Sequence, residues 1–494
     1  MKYVVSSEEM ANIDTYTIEE IGISSLVLME RASLAVVAKV EELITKLDRV
    51  LVVVEGGNNG GDGLAVARIL HQHGYLVDVF YVKHIANASP QFEIQLKIAE
   101  KLMIPVYNKM PRKEYSLIVD GLFGVGLSKD IVGEHKRVIE NLNTMNIIKV
   151  SIDIPSGIDA TTGKILGCAF KADYTVTFGL KKLGLLLFDG VDYSGEVVVA
   201  DIGFPEQAIK AISPKTYIYD SSDLIKKPKR LQNSNKGTYG HVAVIAGTKN
   251  VAGAALFSAK AAYVSGAGLV KVYTHESNGN VILSRLPEAL LYTYEDYAEA
   301  SLCIENAVEW ADVVVIGPGI GVSGASKKML QELLKNSTVP VIIDADGLNV
   351  LAEDMSMLKK AKCPIILTPH MKEMSRLVKK DISEVLDCRF EIAKKLSEDY
   401  HVICVLKDAK SIIPDNKGKF YINEPGNSGM STGGSGDVLT GIIAAFIAGG
   451  LDPLEAARLG AYVHGLAGDV AKKSRGEYGL LASDIIEAIP SVLL

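Results

Sequence analysis

At 494 residues the chain exceeds what one ordinary hydrophobic core organises, so two or more domains are expected. Lys and Arg number 52 against 59 Asp and Glu, a net charge of −7, and the longest basic run is the short KKPKR at Lys226 to Arg230, which argues against a nucleic-acid partner. The longest uncharged apolar stretch, Val438 to Leu451, is too short to span a bilayer. The five cysteines (Cys168, Cys303, Cys363, Cys388, Cys404) show no C-x-x-C spacing, as in a reduced, cytoplasmic protein without a cysteine metal site.

The chain opens on MKYVVSSEEMANIDTYTIEE, where Ser6-x-x-Glu9 forms a capping-box pattern ahead of Met10 and Ile13; this predicts a helix and not a targeting segment. β-Branched runs then alternate with helical stretches: LVVV at 51, LVDVFYV at 76, LIVD at 117, IIKVSID at 147 and YTVTF at 174. A second series follows Gly240: HVAVIAG, LVKVYT at 269, VVVIGPG at 313, PVIIDAD at 340, PIILTPH at 364 and HVICVLK at 401. The alternation predicts an α/β protein with parallel sheets covered by helices. Residues 219–240 between the series are polar, basic and rich in turn formers, which places a boundary at Ser221 and gives domains 1–220 and 221–494.

In the first half the strand at 51 runs into a glycine-rich turn, Gly56 to Gly63, and then a helix closed by Gly74. The turn fits neither G-x-G-x-x-G nor a phosphate loop, and glycines needed only for backbone angles would explain it equally. The next two strands end at Asp120 and Asp153, so that three strand ends offer Asn58, Asn59, Asp62, Asp120, Asp153 and Ser156 to one crevice, where ligands of such sheets bind. Two carboxylates with amides and a hydroxyl suggest a site. Oxygen donors without His or Cys suit a hard cation and exclude zinc.

GGNNGGDG, DGLFGVGLSKD and DIPSGIDATTG, spread between about Ser6 and Ala200, resemble the N-terminal domain of the NAD(P)H-hydrate repair proteins, the NAD(P)HX epimerase family. The resemblance implies a Rossmann-like sheet on which Asn58, Asn59, Gly60, Gly61 and Asp62, with Gly124, Val125, Gly126, Leu127, Ser128, Lys129 and Asp130, hold the hydrated dinucleotide. It implies potassium on Asn59, Asp120 and Ser156, and Asp153 as the group that contacts the ring and acts as acid/base in inverting the carbon bearing the hydroxyl. Lys129 is a weaker candidate for a charged partner, beside its plainer reading as a solvated surface lysine.

In the second half GMSTGGSGDVLTG, Gly429 to Gly441, gathers five glycines around Asp437, and the residues from Val438 onward read as an apolar helix. A glycine loop that ends at a helix N-terminus presents N–H groups and a favourable dipole to an anion. Asp437 at its mouth makes sense as the base for a hydroxyl attacking a phosphate. Plainer readings stand beside this: Gly317 and Gly319 as a turn, Asp344 and Asp346 as helix caps, His370 as structural, His464 as core, Trp310 as packing, and His71 with His73 unable to share a metal easily.

The ordered set KGTYGHVAVIAGTKNVAGAALFSAKAAYVSGAGLVKV, GPGIG, DADGLN, TPHMKEM, the strand end at Lys407 and GMSTGGSGD resembles the ribokinase-like NAD(P)HX dehydratase family from about Ser221 onward. The resemblance implies Asp437 as catalytic base and Ala254, Gly319, His370 and Asp437 around the hydrate. It implies ADP on Lys407, Asp408, Ala409, Lys410 and Ser411 and on the loop Asn427, Ser428, Gly429, Met430, Ser431, Thr432, Gly433, Gly434, Ser435 and Gly436, together with Mg2+. Three places depart from the family pattern: Asp408 and Lys410 stand where a glycine-containing KGA segment is usual, Met371 and Lys372 where PG is common, and Asn235 replaces a histidine.

Taken together, these features predict a bifunctional isomerase and lyase that epimerises NADHX and NADPHX and dehydrates the S epimer at the expense of ADP, giving AMP and phosphate. A homo-oligomer without a nucleic-acid or membrane partner is the accompanying expectation. One alternative, a ribokinase-like kinase of a small molecule or vitamin precursor with a non-catalytic N-terminal binding domain, explains GGSGD but not the first half. Another, a regulatory protein whose first domain has lost catalysis, sits poorly with intact Asp120, Asp153 and Ser156.

Overall fold

The computed structural model describes residues 1–82 and 88–494 and divides the chain into two compact units, Tyr3–Lys215 and Thr216–Leu494 with Met1–Lys2. The division falls ahead of Ser221 because Thr216 and Tyr217 already pair with Phe420 and Tyr421 of the second unit.

The N-terminal unit opens with helices α1 (Ser7–Glu19) and α2 (Ser25–Leu43). Both halves of the expected capping box form: Glu9 N–H donates to Ser6 Oγ at 3.1 Å and Ser6 N–H to Glu9 Oε2 at 2.9 Å. Then follow β1 (Arg49–Val54), α3 (Asn58–Gln72), β2 (Leu76–Tyr81), α4 (Pro90–Lys101), β3 (Val106–Tyr107), β4 (Leu117–Gly121), α5 (Gly133–Thr144), β5 (Ile148–Ile152), β6 (Tyr174–Phe178) and β7 (Glu196–Ala200). The strands form one parallel sheet in the order β3-β2-β1-β4-β5-β6-β7, so the chain reverses direction across the sheet between β1 and β4. Val50 to Val54 are completely buried, as a central parallel strand covered on both faces requires. Val4 and Val5 pair in parallel with Lys181 and Lys182, which fixes the alternation that turns Lys182 inward.

The Gly56–Gly63 segment is not a loop throughout: α3 begins at Asn58, so Gly60, Gly61 and Gly63 are helical. Their smallness serves packing. A Cβ on Gly60 would lie 1.7 Å from the Glu55 carbonyl oxygen, and one on Gly63 would lie 2.7 Å from Val54 Cγ1.

The C-terminal unit comprises β8 (Thr216–Ile218), β9 (His241–Ile245), α6 (Gly253–Val264), β10 (Leu269–His275), β11 (Leu290–Tyr294), β12 (Val313–Ile316), β13 (Val341–Ile343), α7 (Asp346–Glu353), β14 (Ile365–Leu367), α8 (Met371–Val378), α9 (Arg389–Tyr400), β15 (Ile403–Cys404), β16 (Ile412–Pro414), β17 (Phe420–Ile422), α10 (Ser435–Ala448) and α11 (Pro453–Arg475), with further short helices. Seven strands form a parallel sheet in the order β11-β10-β9-β12-β13-β14-β15, while β17 pairs in parallel with β8 and antiparallel with β16. Helix α10 is buried along almost its whole length. A Cβ on Gly441 would lie 2.2 Å from the Ser258 carbonyl oxygen of α6, so the glycine permits the close crossing. Because α10 starts at Ser435, Gly436 and Asp437 belong to its first turn, whereas the sequence suggested a loop up to Val438.

Trp310 packs as expected, stacked on His241 with ring centroids 4.8 Å apart. All five cysteines are free, and no helix among the described residues is long and apolar enough to cross a membrane.

Candidate active sites

At the carboxyl ends of the N-terminal sheet lies a cavity of about 820 Å³. Asn58, Asn59, Asp62, the segment Gly124–Lys129 and Asp153 line it, and so do Asp14 of α1 and Lys182, which sequence reasoning did not single out. Asp153 follows β5 in the left-handed region, φ 64°, a costly conformation for a non-glycine residue that marks functional segments. Its Oδ1 accepts hydrogen bonds from Thr177 Oγ1 and Phe178 N–H, both at 3.0 Å, and an ion pair from Lys182 Nζ. Lys182, only 1 % exposed, spends its remaining donors on Thr177 Oγ1 and the Phe178 carbonyl, each at 3.0 Å. The cation beside Asp153 is therefore Lys182, while Lys129 is exposed at the cavity edge.

Asp14 and Asp62 make no side-chain hydrogen bond among the described residues. Burial, then the neighbouring Asp153, lifts the Asp14 carboxyl above its ordinary range; burial with Asp153 and Asp14 lifts Asp62 well above it.

The structure corrects the expectation that Asp120 and Ser156 face the same crevice. Both are fully buried and neither lines the cavity, because Asp120 is held inward by neutral donors. Its Oδ1 accepts from Ser156 Oγ at 2.6 Å and Leu122 N–H at 3.2 Å, and its Oδ2 from Ser156 N–H at 2.9 Å and Ser151 Oγ at 3.1 Å. Burial keeps this carboxyl above the ordinary range against the pull of those bonds. No cation pairs with it among the described residues. Asn59 Nδ2 is buried without a partner among the described residues, and a Cβ on Gly124 would lie 3.2 Å from Asn59 Oδ1, so glycine at 124 leaves room for that carboxamide.

In the C-terminal unit a cavity of about 730 Å³ is lined by Lys407, Asp408, Ala409, Ser411, Asn427, Met430, Ser431, Thr432, Ser435 and Gly436, with His370 at its edge. Of the expected segment, Lys410 turns aside to the Glu424 carbonyl. Three departures from the family pattern, Met371, Lys372 and Asp408, face this cavity, whereas Asn235 caps a short turn, accepting from Gly237 N–H at 2.9 Å. His464, read from sequence as core, also lines the cavity. Its Nε2 lies 3.3 Å from Ser435 Oγ, and burial pushes its imidazole down to about 4.

Around the first turn of α10 the charges converge. Lys407 Nζ donates to Asp344 Oδ1 at 2.7 Å, while Asp344, 1 % exposed, leaves Oδ2 buried without a partner among the described residues. A Cβ on Gly436 would lie 3.1 Å from Lys407 Nζ and 3.4 Å from Asp344 Oδ2, so the bare glycine keeps this space open. Burial, then Asp344, pushes the Asp437 carboxyl up to about 7 against the opposing Lys407. Burial pulls the Lys407 ammonium down, but Asp344 and Glu373 together carry it above its usual value.

Asp344 and Asp346 are more than caps. Ala345 between them adopts φ 50°, ψ −119°, and Asp346 Oδ2 accepts from Gly321 N–H at 2.9 Å, tying α7 to the GPGIG loop. Gly319 of that loop approaches Ala254, whose Cβ would be 3.4 Å from a Cβ at 319; neither residue lines the 730 Å³ cavity. His370 caps α8, its Nδ1 accepting from Lys372 N–H at 3.1 Å and Glu373 N–H at 3.3 Å, which assigns the ring proton to Nε2 in the neutral form. Burial, then Lys407, lowers its basicity.

Comparison with known proteins agrees with this two-site arrangement. Residues 242–491 match the family model described as NAD(P)H-hydrate dehydratase, and residues 25–184 the model described as YjeF-related protein N-terminus. A bifunctional NAD(P)H-hydrate repair enzyme of Moorella thermoacetica is 36% identical over 512 aligned residues, covering 99% of this chain and 96% of the relative. Two solved structures resemble the C-terminal part, each with a TM-score of 0.50. An ADP/ATP-dependent NAD(P)H-hydrate dehydratase from Bacillus subtilis, co-crystallized with ATP/Mg2+, is 28% identical and covers 56% of this chain and 96% of its own. A ribokinase-like superfamily protein from Enterococcus faecalis is 30% identical and covers 56% and 95%.

Proposed function

The chain belongs to the bifunctional NAD(P)H-hydrate repair enzymes, and from that premise we propose which of its residues perform each half of the repair. The N-terminal cavity interconverts the R and S hydrates of NADH and NADPH; the C-terminal site returns the S hydrate to the dinucleotide, consuming ADP and releasing AMP and phosphate.

In the C-terminal site Asp437 takes the proton of the ring hydroxyl as its oxygen attacks the terminal phosphorus of ADP. The bond from that phosphorus to the AMP oxygen breaks. Phosphate then leaves the ring carbon with its oxygen, and loss of a proton from the adjacent carbon restores the ring double bond. A base pushed up to about 7 suits a reaction near neutral pH, and the Asp437 carboxylate, without a side-chain hydrogen bond among the described residues, is the observation that carries this reading. Lys407 and the Gly436 backbone N–H at the start of α10 supply donors to the developing phosphoryl charge. Ala254, Gly319 and His370 hold the hydrate, and the segments Lys407–Ser411 and Asn427–Gly436 hold the nucleotide. Magnesium fits a site whose buried Asp344 has one uncommitted oxygen, and it supplies charge neutralisation on the phosphates.

In the N-terminal site Asp153 is the acid/base group at the hydroxyl-bearing carbon. Lys182 and Thr177 fix its Oδ1, and Asn58 to Asp62 with Gly124 to Asp130 hold the dinucleotide. Potassium fits the cluster of Asn59, Asp120 and Ser156 in donor type and charge, since the Asp120 carboxylate has only neutral partners among the described residues and Asn59 and Ser156 offer a carboxamide and a hydroxyl oxygen. Bound there, it would supply positive charge to the site.

The test is spectroscopic. Hydrated NADH is mixed with the protein and magnesium, and the return of reduced-nicotinamide absorbance is followed with ADP, with ATP and with neither, in potassium and in sodium buffer. Recovery of both epimers with ADP in potassium is expected. Nucleotide-independent recovery would remove the C-terminal assignment, and an epimerisation rate equal in the two buffers would remove the potassium assignment.

A further inference from the structure

Asp408 is the acidic side chain that faces the C-terminal cavity where the resembled family commonly carries glycine. Its Oδ2 accepts from Arg389 Nη1 at 2.7 Å. Arg389 is in turn 5 % exposed at the first residue of α9 and donates through Nε to the Leu386 carbonyl at 2.9 Å. The pair therefore ties down one carboxylate oxygen and offsets its charge. Asp408 itself keeps 26 % of its side chain exposed, and its Oδ1 has no hydrogen bond among the described residues.

An ionised carboxylate is an acceptor only, so the free oxygen takes a donor from whatever occupies the cavity. Phosphate oxygens are excluded. The donors of an adenine nucleotide are the ribose hydroxyls and the exocyclic amino group. Position separates them: Lys407, one residue away and about 3.8 Å along the chain, points at Gly436 and Asp344 and so marks the phosphate end. The sugar is the part of a nucleotide that adjoins its phosphates, and a carboxylate on ribose hydroxyls is how dinucleotide folds recognise that sugar.

We infer that Asp408, clamped by Arg389, accepts the ribose hydroxyls of the nucleotide and makes this site selective for ribonucleotides; the inference rests on the nucleotide reading of the cavity. Hydrogen bonds to a charged acceptor set the expected discrimination at about tenfold or more.

The test is calorimetric titration of the full-length protein with ADP, 2′-deoxy-ADP, 3′-deoxy-ADP and inosine diphosphate. It uses the wild type, Asp408→Ala, and Asp408→Ala combined with Arg389→Met, which leaves no buried cation unpaired. Wild type should bind ADP about tenfold or more tighter than at least one deoxy analogue. Both variants should bind ADP as weakly as that analogue, whose own affinity is unchanged. Equal wild-type affinity for ADP and both deoxy analogues overturns the inference while leaving the nucleotide reading intact. So does a discrimination that appears only against inosine diphosphate and vanishes with Asp408, since that assigns the carboxylate to the base. Failure of every nucleotide to bind wild type overturns both.

Discussion

Asp153 and Asp437 are both aspartates at the edge of a parallel sheet's ligand side, yet they are held differently. Asp153 has a buried lysine and two further donors on one oxygen, so its orientation is fixed and its charge is offset. Asp437 has no side-chain hydrogen bond among the described residues, and burial, then Asp344, pushes it up to about 7 against the opposing Lys407, with Asp346 and Glu373 adding to the rise. A carboxylate built into a hydrogen-bonded frame is suited to acting at one fixed place. One left among like charges is suited to taking a proton, because protonation relieves repulsion.

The sharpest way to break this contrast is Asp437→Asn, which keeps the shape and removes the base. Dehydration of the S hydrate should fall about 10²- to 10⁴-fold while epimerisation is unchanged, read as recovery of reduced nicotinamide. Turnover within tenfold of wild type would remove Asp437 from the chemistry.

Next in size is Lys182→Met. Removing one partner of a buried ion pair costs about 3–5 kcal/mol of stability, and a misplaced Asp153 should slow epimerisation about 10²-fold. Dehydration of purified S hydrate should hold. Parallel loss of both activities would mean that the two sites are not independent in the way their surroundings suggest.

A smaller test varies pH. The Asp437 carboxyl is raised, so its basic form is lost as pH falls through about 7, and dehydration should drop about tenfold per pH unit below that value. Epimerisation should show no break tied to that group. A dehydration profile flat from pH 8 to pH 5 would refute the assignment.

The mildest perturbation is Gly436→Ala. Its methyl group would sit 3.1 Å from Lys407 Nζ, the end of a flexible side chain, so the lysine shifts and does not block the site. ADP affinity should weaken by about threefold to tenfold in calorimetry, well short of the loss expected at Asp437.

Much of this contrast was legible in the sequence, and what was not has identifiable causes. β-Branched runs and their order gave both sheets, and Asp153 and Asp437 stood out because each follows or opens a recognisable element. Lys182 did not, because Lys181 and Lys182 look alike until the pairing with Val4 and Val5 turns one of them inward. The Asp344–Lys407 pair escaped notice because its members lie 63 residues apart and meet only when β13 and the chain after β15 are brought together. Gly60, Gly61 and Gly63 suggested a turn because glycine lowers helix propensity, but close packing on Glu55 and Val54 outweighed that cost. His464 looked like core for a sound reason: it is mostly buried, with its Nε2 against Ser435 Oγ, and it lines the cavity as well.

Ala345 bears on how this protein would respond to selection. Its φ of 50° with ψ of −119° is a conformation that glycine adopts freely and alanine resists, at about 1–3 kcal/mol. A library screened only for survival at high temperature should therefore return glycine at position 345. One screened for repair of hydrated dinucleotide should retain alanine, since a looser turn no longer aims Asp344 at Lys407 and Asp346 at Gly321. Stability and activity thus pull in opposite directions at one methyl group, and sequencing the survivors of the two screens would show how much of each the protein trades.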